Sequence, residues 1–515
     1  MPRLILIALL LITVLCSSIL AIDPRYHTYG QMVDDVIIAG LTHQNITRVY
    51  TIGYTTTNQL PILAIKISDN PQIREDEPRI LYNGMHHSTE AIGPEITLYL
   101  MWDLLTKYGV DTFITNVINS TEIWIVPMIN PDGNYIVQSG IDTMWRKNTR
   151  DNNNNSIWDP GDGVDLNRNY DFLWDRGGST DPNSREYRGP FPFSEGETQA
   201  MRDLALREKF IFDICYHSSK ELNEGEAIYW PWQWGNRWCP DYSHVKSIAE
   251  TLASRIISDN GGRYYAIYGR ATEGGLARNW FYYAAGTFAY TIEVSHGYYP
   301  PGYRVDSICQ RNLVGAYYLM QRVHGSQITG HITDSITGAP LSAEVRILEA
   351  YAPPDTIAPR TSDSLYGRFY RILLPGTYTV QIIKLGYDTV KISNVLVLQD
   401  QPTYLEIKLK PCTTAREKPI TINKTAQNFQ VLPTITKNGN KINFVVEQET
   451  NVNLKIYSEN GRVVKTLVND TFLPGHYSVI WDKKDSQGKK VADGVYFVKI
   501  TSDKSVKTSK IIVKN

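Results

Sequence analysis

His87 and Glu90 stand three positions apart in Gly84-Met85-His86-His87-Ser88-Thr89-Glu90. At that spacing an imidazole nitrogen and a carboxylate can turn toward one point, and both are ligand types that a catalytic zinc takes. The third protein ligand of such a site comes from far along the chain, and the fourth position stays open for water. Taken alone, the pair reads as a surface His beside a helix-start Glu that favours the dipole. Other groups of the right types follow. His217 closes the apolar run Asp213-Ile214-Cys215-Tyr216. Asp165, Asn167 and Arg168 fall within four positions of one another after Gly163. Arg168 offers a planar fork suited to a carboxylate, and Asn167 a further N–H. Asp165 can orient a metal-bound imidazole from behind. Arg146, in Trp145-Arg146-Lys147, adds a second guanidinium. Glu293 stands late in the strand-like run Tyr290-Thr291-Ile292-Glu293-Val294, where a carboxylate is costly unless paired or functional, and so is a candidate base. Singly, His217 reads as a core histidine and Asp165–Arg168 as a polar loop; the combination carries the argument.

These side chains need elements to hold them. Arg79-Ile80-Leu81-Tyr82 reads as the end of a buried strand, and Asn83-Gly84 breaks it. Ile92, Ile96, Leu98 and Leu100 then set a helical pattern, so His87 and Glu90 lie where strand gives way to helix. His217 falls at a strand tip, where open α/β sheets place ligands. Asn130-Pro131-Asp132-Gly133 reads as a turn. Residues 22–325 alternate strand-like stretches (Ile123 to Val126) with helix-like ones (Ile96 to Leu105, Val245 to Ile257), which predicts an α/β domain with a mixed open sheet flanked by helices. Residues 326–411 carry short β-branched runs between turn signals, a small β-sandwich. Residues 412–430 read as a linker, and 431–515 as a second all-β sandwich.

The chain has 515 residues and a formal net charge of -1, with both signs interspersed, which gives no footprint for a nucleic-acid partner. Met1 to Ala21 reads as a secretory signal, with Arg3 as n-region and Leu4 to Leu15 as h-region. No later segment is apolar enough to span a membrane. Cys215, Cys239, Cys309 and Cys412 are too dispersed for a cysteine-based zinc site. Cys215 reads as a buried thiol, and Cys239 with Cys309 can form one disulfide in an oxidising compartment, with the connectivity left open by the sequence.

His87-x-x-Glu90, Asp165-Leu166-Asn167-Arg168, His217-Ser218 and Thr291-Ile292-Glu293, in that order, resemble the zinc metallocarboxypeptidases of the carboxypeptidase A and T branch. The resemblance implies one Zn2+ on His87, Glu90 and His217. It implies that Asn167 and Arg168 grip the substrate's terminal carboxylate, that Arg146 stabilises the scissile oxyanion, that Glu293 is the general base and that Tyr268 closes over substrate. Thr89 and Ser219 depart from the residues common in relatives, which puts preference upstream of the cut in doubt. Arg278, shortly before Trp280, falls at the base of the pocket for the C-terminal side chain and implies a taste for acidic residues. The second region resembles the transthyretin-like domain that follows many metallocarboxypeptidases. The third resembles Ig-like domains of bacterial surface and type IX secretion substrates, which implies bacterial-type export, with release or surface attachment through this domain.

The expected function is a secreted metallocarboxypeptidase acting on peptides or proteins with a free C-terminal carboxylate. The competing readings are a zinc hydrolase of cell-wall peptides and a binding or adhesion protein on a degenerate peptidase scaffold. A calcium ion is a further expectation: Asp151, Asn153, Asn155, Asp159 and Asp162 occupy positions 1, 3, 5, 9 and 12 of an oxygen-rich loop.

Overall fold

In the computed structural model the described residues are 22–219, 226–234, 237–259, 261–268, 274–350, 357–412, 430–432, 435–436, 440–446, 450–472, 475–502 and 505–513. The expected signal segment, and the expected linker apart from its end residues Cys412 and Gln430, lie outside them. The chain forms two compact units, Met1–Cys412 and Thr413–Asn515.

The first unit is built on an eight-stranded sheet. Its strands are β1 (Thr47–Tyr54), β2 (Pro61–Ile67), β3 (Arg79–Gly84), β4 (Glu122–Val126), β5 (Phe212–Ser219), β6 (Ala227–Trp230), β9 (Tyr265–Tyr268) and β10 (Phe288–His296). Between β6 and β9 lies a short hairpin, β7 (Gln233–Trp234) with β8 (Arg237–Trp238). The sheet order is β1-β2-β4-β3-β5-β10-β6-β9. The four neighbouring strands β4, β3, β5 and β10 run parallel, and the strands beyond them include antiparallel pairs, so the sheet is mixed as expected. The parallel strands are apolar along their length because helices cover both faces: every residue of β3 and β4 is buried. Their parallel run brings the ends of β3, β5 and β10 to one edge.

The helix Ile92–Lys107 packs beside β3 and buries Ile92, Ile96, Leu100 and Leu104. Gly84 and Gly93 close the loop between them. A Cβ on Gly84 would lie 2.8 Å from the Gly93 carbonyl carbon, so the strand end and the helix start touch backbone to backbone. Met85 holds φ +60, a left-handed conformation unusual for a side chain of its size, next to the histidines. Pro131 does not mark a turn. Asn130 caps a helix, Pro131–Gln138, with Pro in its first turn, and accepts from the Gly133 N–H at 2.9 Å. Proline's missing N–H costs nothing at that position.

Glu122 of β4 receives Lys66 of β2 at 2.9 Å and Arg79 of β3 at 2.7 Å. Glu197, in the helix Gly196–Glu208, is fully buried next to Glu195. Burial, reinforced by Glu195, pushes its carboxyl up to about 8. Between the usual carboxylate range and pH 8 the folded state therefore keeps a proton that the unfolded chain releases, and stability falls as pH rises through that window. Glu197→Gln removes this loss. The variant should gain on the order of 2 kcal/mol over wild type between pH 5 and pH 8.5, read as a widening gap in melting temperature. A gap that stays constant with pH refutes the assignment.

All four cysteines after residue 21 are free thiols, and the expected Cys239–Cys309 bridge is absent. The two sit in different environments. Cys309 lies beside Glu95 and Arg25, and Cys239 beside Asp241 and Arg360.

The all-β region of this unit has two three-stranded sheets. One is β13 (Arg368–Ile372), β11 (Gln327–Asp334) and β16 (Pro402–Leu409); the other is β12 (Glu344–Ile347), β14 (Gly376–Ile383) and β15 (Val390–Val397). They enclose Ile328, Ile332, Val345, Phe369, Val380 and Leu409. The sandwich shares a hydrophobic core with the larger sheet, because Ile357 and Ile372 join its cluster. Asp76 clamps the contact, paired with Arg368 at 2.7 Å and His331 at 2.7 Å.

The second unit has a three-stranded and a five-stranded sheet around Phe444, Leu454, Trp481 and Val498. No helix among the described residues is long and apolar enough to cross a membrane.

Candidate metal centre and active site

The ends of β3, β5 and β10 meet where the candidate ligands lie. His87 and Glu90 occupy the loop after β3, His217 is within β5, and Glu293 of β10 stands in register with His217. One oxygen of Glu90 lies 2.7 Å from His87 Nδ1, and the other 2.7 Å from His217 Nδ1. The two Nδ1 atoms are 3.2 Å apart. All three residues are buried. Two imidazole nitrogens aimed at each other and at one carboxylate form a donor set that a cation completes, and the three ligand atoms are close enough to share one ion. The residues thus fit a zinc ion of the two-His, one-Glu type.

Asp165 supports this set from behind. Its carboxylate lies 3.2 Å from His87 Nε2 and accepts from Arg146 Nε at 2.9 Å. Sequence reasoning foresaw the first contact and missed the second. Burial alone would raise the Asp165 carboxyl, but Arg146 and His87 outweigh it and hold it well below the usual range. Burial likewise opposes the charge on Arg146, yet Asp165 and Glu90 raise it. One buried carboxylate therefore fixes both a candidate metal ligand and the guanidinium beside it.

His86, which sequence reasoning left unused, stacks on His217 and bridges the Tyr170 hydroxyl at 2.9 Å and the Cys215 thiol at 3.1 Å. Cys215 is buried, as its apolar run predicts, and burial pushes its thiol well up. Asn130, beyond capping its helix, donates to the carbonyls of His86 and Lys147 and so ties the ligand loop to the Arg146 segment.

His87, Glu90 and His217 line a cavity of about 280 Å³ together with Arg146, Asn167, Arg168, Arg278 and Glu293. Asn167 and Arg168 lie in a single turn of 3-10 helix that Asp165 caps. The Asn167 side-chain oxygen accepts from the Ala277 N–H at 2.9 Å, which turns its amide nitrogen to other partners. Arg168 donates to Glu186 at 2.9 Å, a partner that nothing in the polar stretch Arg185-Glu186-Tyr187-Arg188 signals. Arg278 is buried, and its guanidinium lies 5.2 Å from the centre of the Tyr229 ring. Tyr268 ends β9 opposite Trp230, and its side chain lies outside the described residues.

The expected calcium loop is not supported. Asp151 accepts from the N–H groups of Asn155 and Ser156, at 3.2 and 2.7 Å. Asp159 accepts from Gly161 N–H and the Asn153 amide, and Asp162 from the N–H groups of Asn152 and Asp159. The carboxylates are thus engaged by local N–H donors, leaving Asn153 and Asn155 in a self-bonded turn. Asp151, Asp159 and Asp162 do not converge as a ligand group, whereas calcium needs six or more oxygens around one point.

The model of the zinc carboxypeptidase family matches residues 38–315, and that of the FlgD Ig-like domain matches residues 433–505. A zinc carboxypeptidase of Saccharothrix mutabilis subsp. capreolus is 28% identical over 306 residues, covering 56% of this chain and 67% of its own. Carboxypeptidase D of Anas platyrhynchos is 26% identical over 390 residues, covering 73% of this chain. The matched region is 26% of that relative's length, so the chain corresponds to about a quarter of it. Thrombin activatable fibrinolysis inhibitor shares the fold, with a TM-score of 0.51 at 22% identity, over 57% of this chain and 73% of that one.

Proposed function

We propose, for a chain that belongs to the zinc carboxypeptidase family, that it hydrolyses the last peptide bond of peptides or proteins. One observation carries the reading: the metal-ligand set, a carboxylate base and a carboxylate clamp line one cavity.

A zinc ion on His87, Glu90 and His217 supplies Lewis acidity and an acidified water. The chain's own residues do the rest. Glu293 takes a proton from the attacking water on its carboxylate and passes it to the leaving amine nitrogen. Arg146, held by Asp165, donates to the oxygen that gains charge. Asn167 and Arg168 hold the terminal carboxylate, which makes the reaction exopeptidic, because a mid-chain bond has no anion to offer there. Arg278 is buried and lines the same cavity. An acidic side chain entering it meets a buried guanidinium, so the reading extends to a preference for C-terminal Asp or Glu.

Residues 1–21 direct export. The sandwich at 326–411 is a transthyretin-like stabiliser of the catalytic domain, 22–325. The Ig-like domain at 431–515 serves sorting or attachment, joined by the linker 412–430.

The test is digestion of a peptide mixture read by mass spectrometry. Peptides should shorten by single residues from the C-terminus. Chelation should stop the reaction and added zinc restore it, while C-terminally amidated peptides stay intact. Internal cleavage, or amides cut as fast as acids, would overturn the reading.

A further inference from the structure

We propose that the cleft between the large sheet and the first sandwich binds a compact tetrahedral oxyanion, of the phosphate or sulfate class, seated by Arg74, Lys209 and Arg360. The cleft has a volume of about 130 Å³ and is lined by Phe210, Ile211 and Phe288 at the starts of β5 and β10. The metal seat is at the other ends of these strands, about 17 Å away at ~3.3 Å per residue.

Six cations line the cleft, and only two carboxylates, Asp241 and Asp363, accompany them. Three of the cations are neutralised. Arg79 pairs with Glu122, Arg368 with Asp76, and Arg371 lies 3.3 Å from Asp241. Asp363 accepts from the N–H groups of Leu365 and Tyr366. The other three make no direct ion pair among the described residues, although Asp363 acts on Lys209 and Asp241 on Arg360 at longer range. Lys209 donates to the Thr361 hydroxyl at 3.1 Å. Arg360 donates to the carbonyls of Tyr282 and Tyr283. Arg74 Nε and Nη2 are buried with no hydrogen-bond partner.

The buried Arg74 N–H groups lack acceptors, which is costly, and an anion would supply them beside the half-buried Arg360 and the exposed Lys209. The electrostatics agree. Partial burial lowers the Lys209 ammonium, Asp363 opposes this, and Arg74 and Arg79 lower it further. Burial lowers Arg360 as well, against the opposing pull of Tyr282 and Asp241, with Arg371 adding to the lowering. Guanidinium forks suit tetrahedral oxyanions, and the volume suits one small ion rather than a nucleotide. Arg74 and Lys209 come from the large domain and Arg360 from the sandwich side, so the ion would join the two.

The test uses the full chain. Melting temperature is followed against inorganic phosphate, with sodium chloride at matched ionic strength as reference, in wild type, Arg74→Gln and Lys209→Gln. Wild type should gain several degrees in a saturable way. Each variant should need at least tenfold more phosphate, while its peptidase kcat/KM in phosphate-free buffer stays unchanged. Sulfate should match phosphate. Citrate acting at lower concentration than both would overturn the tetrahedral class. An equal gain in all three proteins would mean general exclusion of the salt from the surface, and overturn the site. Loss of the gain in Arg168→Ala instead would place the ion in the substrate clamp. The proposal stands apart from the peptidase reading, because it is read as stability.

Discussion

Glu293→Gln should lower turnover by three orders of magnitude or so and leave one zinc per chain, whereas His217→Ala should lose metal and activity together. The pair separates two roles that meet in one register position, since Glu293 and His217 are Cα partners on adjacent parallel strands. Gln has nearly the shape of Glu but cannot accept the proton, and positioned bases contribute about 10²–10⁴ in rate. His217 supplies one of three converging atoms, and the remaining His87 and Glu90 cannot close a zinc shell alone. Metal content by mass spectrometry and single-turnover hydrolysis read the two. Near-normal turnover in Glu293→Gln would remove it as the base. Asp165→Asn should fall between, with metal affinity reduced ~10–100-fold, because it holds His87 from behind.

The second large effect concerns the pocket base. Arg278→Ala should lose peptides ending in Asp or Glu by about 2–5 kcal/mol of transition-state stabilisation and keep or gain apolar ones. Arg278 is 5% exposed and shares the cavity with Thr291 and Glu293. An acidic side chain there would form a charge-assisted pair away from bulk water, where such pairs matter most. The comparison is kcat/KM on matched peptides ending in Glu, Phe and Lys. Equal values in wild type would end the proposal, and an unchanged preference in the variant would move it to another residue.

What was legible in the sequence was local. His87 and Glu90 share one loop, and Asp165, Asn167 and Arg168 share one turn, so spacing along the chain stands in for spacing in the fold. The mixed α/β sheet was readable from apolar runs such as those of β3 and β5. What escaped depended on contacts between distant segments. Asn130 to Gly133 has turn composition, yet the Asn130 amide bonds to carbonyls of two other loops, and Pro131 starts a helix. The Asp151–Asp162 loop has a calcium-like order of oxygens, but order does not reveal that neighbouring N–H groups occupy them. Glu186 gives no sign of its position because its partner, Arg168, lies across a fold of the loop. The sharing of one core by sheet and sandwich rests on Ile357 and Ile372, ordinary apolar residues in sequence.

The ion pair of Arg168 with Glu186 gives the carboxylate clamp a resident occupant. Glu186 is 54% exposed, so it can swing away, yet it is tethered and competes as an intramolecular ligand whose effective concentration is on the order of millimolar. On the proposed function, substrate entry is then an exchange of one carboxylate for another rather than the filling of an empty fork. Affinity reports a difference, to which Asn167, the metal and the side-chain pocket contribute what Glu186 cannot. The exchange also runs in reverse. As the freed amino acid departs, Glu186 can take its place, so product leaves without stranding a bare cation in a half-closed cavity, and the clamp favours turnover over tight retention.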